Sequence, residues 1–284
     1  MMMLRRRSLI RTGLAAAGLL AARECLASQR LILLGNGKYK FKNSQAAAVA
    51  AAFTNPPTNA RALLIDNLVG SLLTAGVWSQ LDLLYIIAAA DSQAASINWV
   101  SPSNFGLIAV NSPTFAANQG YTGNGSNSRL RTQYTPSVNG SNYTQNSASV
   151  WTWSRTNVAN NGADAGSLGT NNVFVSPKDV SNNFNVQIND ATTSSKSNAS
   201  SVGFFGAQRT NSTTKNKWIN GVIFDTTTVT STGLPSQEQW VCGADSTSFS
   251  IRQIAVAAWG ASLSGNELAF YNAITTYLQA VGAA

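Results

Sequence analysis

The chain contains no histidine. That removes histidine-based triads, imidazole metal sites and histidine acid–base chemistry. Cysteine is almost as scarce. Cys25 and Cys242 stand far apart, which is neither a disulfide framework nor a zinc spacing, so two unpaired thiols are expected. Acid is sparse too. After residue 42 the only glutamates are Glu238 and Glu267, and neither has an acidic neighbour two or four residues on. Glycoside hydrolysis ordinarily uses a close carboxylate pair. Asp164, Asp179, Asp190, Asp225 and Asp245 are scattered through loop-like sequence and read as turn or cap residues. No phosphate-cradling loop is present, because Gly35-Asn36-Gly37 lacks the third glycine and the helix of a nucleotide fingerprint. The apolar run Gly13–Ala22 is shorter than the ~20 residues a membrane span requires. These absences argue for a protein that is not an enzyme and has no resident cofactor.

Charged residues make up 11% of the chain, against about 25% in ordinary globular proteins, and they are unevenly placed. Residues 1–42 carry nine Lys/Arg and one acid, whereas residues 43–284 carry ten of each. The net charge of +8 is therefore that of a basic arm on a neutral body. The body has no charge excess to drive nucleic-acid binding. The arm, with linker, is assigned to residues 1–57. Its anchor candidates are Arg5, Arg6, Arg7 and Arg11, which suit phosphates, anionic lipid or an acidic protein surface. Arg6-Arg7-Ser8-Leu9-Ile10, the apolar run and the small residues Cys25 and Ala27 also resemble a twin-arginine export signal. Leu9, Ile10, Leu14, Ala17 and Leu20 recur at helical spacing, so the alternative is a retained amphipathic anchor.

Ser, Thr, Asn and Gln dominate the remaining surface and favour short strands with many turns. Lys38–Lys42 alternates after the Gly35-Asn36-Gly37 turn and predicts a small hairpin; Ser44–Phe53 reads as linker or loose helix before Asn55-Pro56-Pro57. Thr58–Ala75 is the strongest helix, capped by Thr58 or Asn59 and stopped by Gly76. Leu81–Ala90 suits a buried strand. Alternating strands are expected at Ser147–Arg155, Phe184–Ile188, Trp218–Phe224 and Ser250–Ala258. A last helix, Glu267–Val281, places Leu268, Tyr271, Ile274 and Leu278 on one face. The pattern predicts a mainly β, antiparallel two-sheet sandwich or jelly roll, with an N-terminal helix and a short C-terminal helix.

Gly120-Tyr121-Thr122-Gly123-Asn124-Gly125-Ser126, running on to Thr132-Gln133-Tyr134, resembles a glycine-rich turn and strand of concanavalin A-like (laminin G-like) domains. Ile254–Ser264, followed by a helix through Tyr271, is similar to their closing strand, turn and helix. Asn98-Trp99 and Val110–Phe115 resemble such domains in virion structural proteins of tailed bacteriophages. The resemblance covers residues 58–284. It implies a non-catalytic virion module, a capsid decoration or fiber, anchored to other virion proteins through the arm. It further implies a homo-oligomer, a trimer being favoured, that contacts host surface glycans. The alternative is an exported, periplasmic or secreted lectin. Trp151, Trp153 and Trp218 are the glycan-binding candidates, with Trp240 a further tryptophan to weigh, against the plainer expectation of core packing. Calcium is the one metal the resemblance keeps open, with Asp164 or Asp245 as contributors.

Overall fold

The computed structural model describes residues 37–284; Arg5, Arg6, Arg7, Arg11 and Cys25 lie outside them. Five α-helices are described, α1 (Ser44–Ala51), α2 (Asn59–Thr74), α3 (Ser92–Ser96), α4 (Pro136–Asn139) and α5 (Glu267–Val281), with a short 3-10 helix at Trp78–Gln80. The strands are β1 (Leu81–Ile86), β2 (Ile108–Val110), β3 (Thr114–Ala116), β4 (Gly120–Thr122), β5 (Arg129–Arg131), β6 (Ala148–Ser154), β7 (Ala165–Ser167), β8 (Asn172–Ser176), β9 (Asn183–Asp190), β10 (Ser194–Ser197), β11 (Gly203–Arg209), β12 (Thr214–Ile219), β13 (Val222–Thr228), β14 (Trp240–Val241) and β15 (Gln253–Gly260).

The strands form two antiparallel sheets, as the turn-rich sequence predicted. The first runs β13-β12-β11-β6-β15-β4-β3. One edge of β15 is divided: Gln253 and Ile254 pair with β4, and Val256–Gly260 pair with β1. The second sheet runs β10-β9-β8-β7-β14-β5-β2. One apolar core lies between the sheets and includes Tyr85, Val150, Val175, Phe184, Phe205 and Trp259. A second lies between the first sheet and helices α1, α2 and α5. The molecule is thus three-layered, helices on sheet on sheet. Strands β6 and β11 are buried at every residue because both faces of the first sheet are covered.

Local rules account for most element boundaries. Thr58 Oγ1 accepts the Arg61 amide at 3.2 Å and starts α2; Gly76, at φ 70°, ends it. Along β6 the side chains alternate as expected, Ala148 and Val150 toward the second sheet and Trp151 and Trp153 toward the helices.

Three expectations are corrected. Residues 38–42 form no strand. Instead Tyr39, Lys42 and Asn43 bind the buried Asp66 of α2, and α1 packs on the helical core, so residues 39–53 belong to the body rather than to a linker. The stretch 218–224 is two strands, because Asn220 and Gly221, both at positive φ, turn the chain between β12 and β13. In α5 the buried stripe is Phe270, Ile274, Tyr277 and Leu278, while Leu268 is 50% exposed.

Candidate functional site

The three tryptophans expected to meet a glycan are core residues. Trp151, Trp153 and Trp218 are 0%, 5% and 8% exposed. Trp151 stacks on Phe204 at 5.4 Å and meets the edge of Phe270 at 6.0 Å. Trp153 lies parallel to Tyr271 of α5, 6.0 Å away. Gly206, opposite Trp151 across the ladder, leaves room for that ring; a Cβ there would come within 2.2 Å of it. The period-2 pattern placed Trp151 and Trp153 on one face correctly, but α5 covers that face.

Trp240 occupies a different environment. It sits on β14 in the middle of the second sheet, opposite Arg131 on one side and Gly166 on the other. Its chain neighbour Val241 fills the inner core, so the Trp240 ring takes the outer face. The register extends this row across the sheet as Ile108, Arg131, Trp240, Gly166, Phe174 and Gln187. Gly166, at φ 141°, admits no side chain: a Cβ would lie 2.0 Å from the Val173 carbonyl oxygen. The row therefore carries two aromatic residues separated by one that has no side chain.

Polar groups surround the ring. The Arg129 guanidinium lies 4.2 Å from the Trp240 ring centroid, a cation–π contact. Phe249 runs nearly parallel at 6.4 Å. Arg131 donates through Nε to Glu238 Oε2 at 2.8 Å, and Glu238 Oε1 accepts the Gln133 amide at 2.6 Å. Trp240 Nε1 and Arg129 Nε are buried and have no hydrogen-bond partner among the described residues. Such an arrangement can stack a flat apolar ring face and offer hydrogen bonds around it. Alternation opposite an inward apolar neighbour holds for Trp240 beside Val241 and equally for Trp151 beside Val150, so strand pattern alone does not separate them.

The carboxylates are engaged elsewhere. Asp190 pairs with Arg209 at 2.6 Å and Lys215 at 3.1 Å, all buried. Asp164, fully buried, pairs with Arg252 at 2.7 Å and accepts the Ser250 hydroxyl. Burial pushes its carboxyl above the ordinary value against those two contacts. Asp245 accepts from Thr247. Glu267 is buried and accepts from Gln208 Nε2 at 2.8 Å. Among the described residues no three His, Cys, Asp or Glu side chains gather to hold a metal. Cys242 is buried and makes no disulfide among the described residues, and burial raises its pKa far above the usual range.

No protein-family model and no curated protein matches the sequence. Solved structures match the fold. A mutant of Trypanosoma rangeli sialidase displaying trans-sialidase activity aligns at 11% identity and a TM-score of 0.52, over 76% of this chain and 39% of that one. The binding domain of botulinum neurotoxin serotype D aligns at 11% identity and a TM-score of 0.50, over 70% of this chain and 52% of that one. The chain thus spans about two fifths to one half of the structures it matches. The likeness is one of fold, a mainly β chain of two packed antiparallel sheets.

Proposed function

We propose that the protein is a non-catalytic module that contacts glycans through the outer face of its second sheet. One observation carries the reading: Trp240, stacked with Arg129, faces outward in a row that continues past Gly166 to Phe174. A pyranose ring stacks its apolar face on indole, and flanking Arg129, Arg131 and Glu238 hydrogen-bond its hydroxyls. Displacing Arg129 from the ring also frees two polar atoms that now lack partners.

The test is a glycan array with the full chain. Trp240→Ala is expected to abolish binding while the chain still unfolds in one cooperative thermal transition. An array blank at high protein concentration removes the glycan reading. Hydrolysis of any β-glucan by the purified protein overturns the non-catalytic one.

The setting is proposed to be a virion, with the basic arm, carrying Arg5, Arg6, Arg7 and Arg11, fixing an oligomer to other virion proteins. Support comes from the confinement of the charge excess to that arm. Mass spectrometry of purified particles is expected to find intact residues 1–284. A mature chain starting near Ser28 would instead make the protein an exported lectin.

A further inference from the structure

A cleft of 240 Å³ lies away from the second sheet, where the chain entering α2 meets α3, the turn between β3 and β4, and α5. Phe53, Pro56 and Pro57 form an apolar wall, and Trp99 and Tyr277, edge to face at 5.9 Å, line it too. The two prolines fix the backbone of that wall before any ligand arrives.

Opposite charges face this cleft without meeting. Arg61 donates to the Tyr277 hydroxyl at 3.0 Å and to Asn118 Oδ1, both neutral acceptors. Among the described residues no carboxylate lies within 4.0 Å of it. Asp91 lines the same cleft. Its carboxylate accepts the Ala94 amide at 2.8 Å and Asn55 Nδ2 at 3.1 Å. Those contacts hold its pKa below the ordinary value, so it stays ionised at neutral pH. A carboxylate has about four acceptor positions and a guanidinium five donors, so both groups keep capacity for a ligand. The indole Nε1 of Trp99 is buried without a partner among the described residues. The cleft is smaller than the ~300–1,000 Å³ of sites for drug-sized ligands, so the molecule it fits is small.

We propose that this cleft binds a small zwitterion, in its simplest form a free α-amino acid. The ligand carboxylate meets Arg61, the ammonium meets Asp91, and the side chain rests on the aromatic and proline wall. The site is independent of the Trp240 face.

Isothermal titration calorimetry of the full chain against the common free amino acids tests the proposal, with acetate and methylamine as single-charge controls. At least one amino acid is expected to bind, and each control at least about tenfold more weakly. Arg61→Gln and Asp91→Asn are each expected to weaken binding roughly tenfold or more, the size of a lost charge-assisted hydrogen bond; asparagine still caps α3, so the second variant keeps the fold. Three results would overturn the proposal: no amino acid binding up to about 10 mM, acetate binding as tightly as the amino acid, or both variants binding like the parent chain.

Discussion

Asp66 receives the Tyr39 hydroxyl, the Lys42 and Asn43 amides and Asn43 Nδ2, at 2.7 to 3.0 Å. Burial pushes its carboxyl up, but these donors outweigh it and hold the group below the ordinary value, while Tyr39 is pushed up to about 12. A depressed carboxyl stabilises fully above the unfolded value of about 3.9 and loses that contribution as pH falls through the folded value. Asp66→Asn is therefore expected to cost about 2 kcal/mol at pH 7. Urea midpoints should show the gap to the parent chain closing toward pH 2; a constant gap refutes the assignment. Arg252 has a comparable role in the sandwich. Besides pairing with Asp164 it donates to the carbonyls of Val158, Asn160, Gly162 and Lys178. Arg252→Ala should cost roughly 3–5 kcal/mol, the usual penalty for leaving a buried charge unpaired, measured by urea denaturation. Neither role was legible in the sequence, because the partners of Asp66 and Arg252 come from segments that only the fold brings together.

Helix α5 closes the aromatic core. Phe270 meets both Trp151 and Phe204 edge-on, at 6.0 and 5.1 Å. Phe270→Ala removes a ring from a filled space and should cost about 3–5 kcal/mol, with a change in tryptophan emission as α5 loosens. An unchanged melting temperature would show that the helix is dispensable. The bounds of α5 were readable from sequence, since Gly282, at φ 79°, stops it locally. Its buried stripe was misassigned by including Leu268, because several faces of this helix carry apolar residues and only its docking on the sheet selects one. Likewise Asn220-Gly221 was readable as a turn, and the apolar residues on both sides were read as one strand because period alone does not break a run.

At the scale of the whole molecule, charge and layering separate. The excess positive charge belongs to residues 1–42, so the full chain should be retained on a cation exchanger, and removal of residues 1–36 should sharply lower the eluting salt concentration. Undiminished retention would place the basic surface on the sandwich. Composition determined the mainly β class, the lack of histidine chemistry and the confinement of the charge excess to the first 42 residues, since these follow from residue counts and local turn geometry. Strand alternation determined which side chains share a face. The sequence did not determine what covers each face. A tryptophan in an alternating strand looks alike whether a helix or water lies above it, and only the docking of α5 on the first sheet buried Trp151, Trp153 and Trp218 while the second sheet kept Trp240 on its outer face.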